Sequence, residues 1–163
     1  MSEYHNTKAE DRVPLGQKLA VGAGGFPIQN GGLIVQYMAQ PIFQIFLGLN
    51  PALFGLAMTI PRIWDAFTDP VMGRISDRTQ SRYGRRRPYV FVGALAVALT
   101  FLTIWMVPQS MGDTGTFLWL TIGSVLFFTA FTVFSVPFNA LVYEHTPDYH
   151  ERTRLMFCFA LFS

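Results

Sequence analysis

Residues 51–73 read PALFGLAMTIPRIWDAFTDPVMG, a run long enough to cross a bilayer that nevertheless holds Arg62, Asp65 and Asp69. At 100° per residue, their spacings of three and seven put all three charges within about a 60° arc, so they converge on one side of a helix. A carboxylate near the bilayer centre costs about 2.5–3.5 kcal/mol even on a lenient insertion scale. Two of them on one face point to a cation or proton site inside a helix bundle. The competing reading is structural, with the carboxylates paired to Arg62 or to another helix.

Working outward, the composition is that of an integral membrane protein. Hydrophobic residues make up 51% of the 163, charged residues 13%, and there are 16 phenylalanines. Mean hydropathy is +0.33. An ordinary soluble domain of this length has no need of so much apolar surface. The single Cys158 excludes a disulfide within the chain, and three scattered histidines have no metal-ligand spacing, which argues against a metalloenzyme.

Four stretches approach the roughly 20 apolar residues that a span requires: 19–47, 51–72, 89–107 and 117–142. A fifth begins at Leu155 and stops at Ser163, so the chain is expected to be an N-terminal fragment of a longer bundle. Residues 1–18 form a polar leader rather than a cleavable signal. Lys8, Arg12 and Lys18 precede the first span, Arg74, Arg78, Arg82, Arg85, Arg86 and Arg87 follow the second, and Arg152 and Arg154 follow the fourth. The segments 48–50 and 108–116 contain no Lys or Arg. This alternation places the N-terminus and the 2–3 and 4–5 loops in the cytoplasm of a multi-pass plasma-membrane protein, the inner membrane in a bacterium.

The first span contains Gly22, Gly24, Gly25, Pro27, Gly31, Gly32 and Pro41 together with Gln29, Asn30, Gln36, Gln40 and Gln44, as a cavity-lining helix would. Packing glycines and amides that bond between helices would give the same pattern. The fourth span carries Thr129, Thr132, Ser135 and Asn139, and the last three repeat the three-and-seven spacing. Such hydroxyls can complete a cation's oxygen shell, or simply bond to their own backbone carbonyls.

Residues 62–88, RIWDAFTDPVMGRISDRTQSRYGRRRP, resemble the signature of the glycoside-pentoside-hexuronide:cation symporters, the melibiose-permease-like branch of the major facilitator superfamily. Residues 136–155, VPFNALVYEHTPDYHERTRL, are similar to the same family's helix 4 to helix 5 segment. The resemblance implies an all-α membrane fold: four transmembrane helices and the start of a fifth from the facilitator N-terminal bundle, residues 19–163, with the C-terminal helices as absent partners. It also implies a cation site at Asp65 and Asp69, with Thr132 as a further oxygen ligand. Sodium, a hard cation, suits such oxygens, but the residues do not choose between sodium and a proton.

In the same resemblance Gly73, Asp77, Arg78, Gly84, Arg85 and Arg87 match the loop 2–3 motif that closes the inward side during alternating access. Glu144, Asp148, Glu151, Arg152 and Arg154 are the expected complementary charges. Six arginines would also anchor topology and meet anionic lipid. Substrate contacts fall on Gln29, Ser135, Asn139 and Arg62. Gln29 and Ser135 stand where relatives carry acids, and Cys158, Phe159 and Ala160 offer no cation where an Arg is usual. The implied function is cation-coupled symport of a sugar or other small polar solute. The alternatives are symport of a lysolipid or amphiphile, or a truncated membrane protein that transports nothing. No enzyme motif, no cofactor beyond the coupling ion and no nucleic-acid partner are expected.

Overall fold

The computed structural model describes residues 13–82, 84–108, 111–144 and 149–162. Among them the chain forms α1 (Leu15–Ala39), a π-helical continuation (Gln40–Phe46), α2 (Pro51–Arg78), α3 (Arg87–Trp105), α4 (Asp113–Glu144) and α5 (Tyr149–Phe162). Helix α1 begins inside the polar leader, where the Pro14 carbonyl accepts from Gln17 and Lys18. Its far end changes pitch at Pro41, which has no N–H to return to the turn before it, and the ladder resumes with Leu47 N–H bonded to the Ile42 carbonyl. Helix α5 starts at Tyr149, before the apolar run at 155, so its first turn is polar. Helices α3 and α4 are long and apolar enough to cross a membrane. The same measure passes over α1 and α2, whose glycines, amides and charges dilute their apolar content.

The described residues form two compact units, one from those before residue 34 together with those after residue 138, the other from those between. In the first, Gly25 of α1 lies against the Phe159 ring of α5: a Cβ on that glycine would stand 2.9 Å from the ring. Leu155 is fully buried in this unit.

The second unit holds the principal core, Val35, Ala39, Phe43, Leu49, Phe54, Ala57, Ile104, Leu120, Phe127 and Phe128. Rings continue through it, with Phe127 edge-on to Phe128 at 5.4 Å and stacked on Phe131 at 6.0 Å. Phe91, Leu95, Leu99 and Leu102 lie on one exposed stripe of α3, as a lipid-facing surface would. The opposite stripe packs on α4 through two glycines. A Cβ on Gly93 would lie 2.7 Å from the Phe134 backbone N, and one on Gly123 would lie 3.2 Å from Ile104 Cγ1. The α4 partner advances from 123 to 134 as α3 falls back from 104 to 93, which is an antiparallel crossing. Small residues at both contacts let the backbones approach, the usual basis of helix association in lipid.

The loop between α2 and α3 is closed by side chains. Thr79 donates to the Ile75 carbonyl at 2.8 Å and shares a 2.7 Å hydrogen bond with the Tyr89 hydroxyl. Gly84, at φ +100°, takes a backbone conformation that side chains disfavour.

Gly93→Ala forces a methyl against backbone atoms that cannot rotate away, with an expected loss of about 1–3 kcal/mol. Gly55→Ala, on a helical site with open space around it, should be neutral or stabilising by up to about 1 kcal/mol. Thermal unfolding of both variants in detergent separates the two; equal melting temperatures would show that the Gly93 crossing does not limit packing.

Candidate functional site

The site is built on α2 and α4 within the second unit. These helices run in the same direction, with Trp64 facing Thr129, Asp69 facing Thr132 and Gly73 facing Val136. Pro61 and Pro70 bracket the charged segment. Each withdraws an N–H from the helical ladder, so the carbonyls of Ala57 and Ala66 lose their usual donor.

Most hydroxyls of the second unit bond to their own helix. Thr59 donates to the Gly55 carbonyl, Thr100 to Ala96, Thr121 to Phe117 and Thr129 to Val125, at 2.7–2.8 Å. Thr132 behaves differently. It is buried, and its Oγ1 donates to Asp69 Oδ1 at 2.8 Å. Three residues earlier Trp64 Nε1 donates to Thr129 Oγ1 at 2.9 Å, so two polar contacts hold α2 against α4. Asp65 is half-buried, and its Oδ1 is enclosed without a hydrogen bond from the described residues. An enclosed carboxylate oxygen lacking a donor is costly unless a proton or cation meets it.

The partners of Arg62 lie on other helices. Its guanidinium donates to Gln36 Oε1 at 3.3 Å and lies 5.1 Å over the Phe128 ring. The sequence left open an Arg62–Asp65 or Arg62–Asp69 pair; among the described residues the structure forms neither. Gln36, Met58, Thr59, Arg62 and Phe128 line a cavity of about 250 Å³. Gln36 stood among five amides of the first span, and nothing in the sequence marked it out. Phe128 carried no signal beyond being aromatic, and Trp64 none beyond its place in the 62–88 signature.

Ser135 lies half-buried one turn beyond Thr132, while Gln29 and Asn139 belong to the first unit, Gln29 exposed and Asn139 half-buried. Of the loop motif, Gly73 has room for a methyl, 3.9 Å from Val136 Cγ1. Asp77 pairs with Arg86, whose residue precedes the first turn of α3. The chain of Arg87 packs against Gly84, and Arg78 and Arg85 are exposed. Among the expected complementary charges Glu144 and Arg154 are exposed in the first unit. Asp148 and the side chains of Glu151 and Arg152 lie outside the described residues, as do Lys8 and Arg12.

An all-helical bundle with a lipid-facing stripe, glycine-mediated crossings and intramembrane carboxylates defines a multi-pass membrane protein. A family model described as MFS/sugar transport protein matches residues 20–163, and the chain belongs to this family of glycoside–cation symporter-like facilitators. It is 36% identical over 144 residues to an uncharacterised symporter of Synechocystis, covering 85% of this chain and 26% of the relative. It is 32% identical to the zebrafish sodium-dependent lysophosphatidylcholine symporter 1-A, over 83% of this chain and 25% of that protein. A putative glycoside/cation symporter of Escherichia coli is 28% identical, over 86% of this chain and 30% of the relative. The chain thus spans between a quarter and a third of the length of these relatives.

Removing either end of the Asp77–Arg86 pair should destabilise the α2–α3 connection, and a double-mutant cycle of Asp77→Ala with Arg86→Ala should show a coupling of up to about 1 kcal/mol. The Arg86 side chain is only 11% exposed, against 57% for Asp77, so Arg86→Ala should cost more than Asp77→Ala. Additive effects in detergent unfolding would mean that the pair holds nothing.

Proposed function

We propose that these helices supply the cation-binding part of a cation-coupled secondary transporter that is completed by further helices. The carrying observation is the Thr132 hydrogen bond to Asp69 beside the enclosed, undonated oxygen of Asp65. Asp65 and Asp69 bind the coupling ion and Thr132 adds its oxygen. Hard oxygen donors of this kind suit sodium, and the Ala66 carbonyl freed by Pro70 offers another on the same turn. A proton shared by the two carboxylates is the other form the coupling can take. Binding of the ion cancels one of the two negative charges and, with Arg62 counted, brings the segment from −1 to zero, and so favours the conformation that encloses it.

The solute is a small polar molecule, a sugar or glycoside in the first instance, with Arg62, Gln29, Ser135 and Asn139 as contacts. A lysolipid is the second reading: proteins named as lysophosphatidylcholine symporters are as similar to this chain as the glycoside/cation symporter is. Asp77 and Arg86, together with Gly73, Arg78, Gly84, Arg85 and Arg87, form the inward gate of alternating access. The N-terminus lies in the cytoplasm of a plasma-membrane protein, as the basic loops require.

Two measurements test this. In the chain with Trp105→Phe and Trp119→Phe, the remaining Trp64 should report sodium by fluorescence, because its indole bonds the helix that carries Thr132. Asp69→Asn should abolish that response and Thr132→Val should weaken it about tenfold, the effect of losing one charge-assisted hydrogen bond. In the longer transporter, sodium or proton gradients should drive accumulation of a glycoside or a lysolipid in vesicles. Ion-independent uptake, or normal ion stimulation in Asp69→Asn, would overturn the proposal.

A further inference from the structure

Helix α3 starts beside the arginine-rich loop at Arg87 and ends at Trp105. A trough bordered by Thr103 of α3 and by Gly115, Leu118, Trp119, Ile122 and Leu126 of α4 therefore lies in the half of the membrane remote from that loop. Its volume is about 470 Å³, the size of a ligand site, yet its walls offer almost nothing to a polar ligand. The Thr103 hydroxyl donates to the Thr100 carbonyl at 2.8 Å and keeps only its acceptor capacity for anything outside. The Trp119 Nε1 is enclosed by the protein. Water needs several polar partners and finds none of the donors it would require here, and an empty trough forfeits the dispersion contacts of its lining. An apolar occupant resolves both.

The dimensions identify that occupant. From Gly115 to Leu126 the helix rises about 16 Å, and the hydrocarbon of one leaflet is about 15 Å deep. Asp113, exposed two residues before Gly115, marks the water side. Leu118, Ile122 and Leu126 are exposed, as is Leu102 beside Thr103, so the trough borders the surface that meets lipid. A further transmembrane helix seated here would cover a stripe along the whole span, whereas the lining ends at Leu126, less than half-way along the 32 residues of α4.

We propose that the trough seats one acyl chain of a phospholipid of that leaflet, its headgroup level with Asp113 and its chain running past Trp119 to Leu126. This is a resident lipid, separate from the transported solute and from the ion site. Gly115 leaves the room for it: a Cβ there would stand 3.0 Å from the Met111 side chain, and a longer side chain would enter the trough.

The test uses the full chain in dodecyl maltoside with Trp64→Phe and Trp105→Phe, so that Trp119 is the one fluorophore of the three tryptophans. Phosphatidylcholine brominated at mid-chain is titrated into the micelles as quencher. Leu99→Trp, in a chain with all three tryptophans changed to Phe, reports ordinary contact on the exposed stripe of α3. Quenching of Trp119 should saturate at one lipid per chain, while that of Leu99→Trp rises in proportion to the lipid fraction. Gly115→Leu should raise the half-quenching lipid fraction about tenfold, the worth of about two methylenes of contact. Ile122→Ala, on the exposed rim where folding is not at stake, should raise it about fourfold, and Gly55→Leu, at an open helical site, should leave it unchanged. Native mass spectrometry should retain one phospholipid on the chain and lose it with Gly115→Leu. Proportional quenching of Trp119, or saturation that neither Gly115→Leu nor Ile122→Ala shifts, would overturn the inference. So would protection of Trp119 from the brominated lipid in the longer transporter, which would show that a helix fills the trough.

Discussion

The hydrogen bond from Thr132 to Asp69 fixes how α2 meets α4, and the rest of the second unit follows from it. An intramembrane carboxylate must find a partner inside the bundle, because lipid supplies none. Thr132 is buried and donates to it, which sets the rotation of α2 about its axis. Trp64 then reaches Thr129 on the same side, and Arg62, two residues earlier in the chain, is brought toward Gln36 and Phe128. The polar and cationic ends of the charged face are thus separated along the helix by about one turn. The two prolines make the segment between them a place where backbone as well as side-chain oxygens can be spared for a ligand.

The α3–α4 crossing complements this arrangement. Apolar packing in lipid gains little from burial alone, so close backbone approach at Gly93 and Gly123 has to supply contact area. It locks α4 from the side opposite to its polar partners. A helix held on one face by glycine contacts and on another by hydrogen bonds to Asp69 and Trp64 has little freedom to rotate. That rigidity keeps Thr132 aimed at Asp69, a requirement for any site whose geometry must select one ion.

Much of this was legible in the sequence for a plain reason. The spacing of Arg62, Asp65 and Asp69 is a property of the helix alone, and the repeat of that spacing in Thr132, Ser135 and Asn139 is another, so two polar stripes could be read before any packing was known. What the sequence could not supply were choices between equivalent candidates. Arg62 has the reach to meet Asp65, Asp69 or a neighbouring amide, and only the position of α1 decides for Gln36. The six arginines between positions 74 and 87 are alike in the sequence, and only the folded α2–α3 connection shows that Arg86 meets Asp77. Gly93 is one of fourteen glycines, and its contact depends on the partner helix. Helix ends shifted for local reasons, with a capable first turn at Leu15 and a polar one at Tyr149 extending α1 and α5 past their apolar runs.

The arrangement also bears on the coupling proposed above. Two carboxylates and one guanidinium give the charged segment of α2 a net charge of −1, and a monovalent cation held by Asp65 and Asp69 would bring it to neutrality. A neutral segment costs less to enclose in a low-dielectric bundle than a charged one, so an ion bound there would favour the conformation that shuts it away from water.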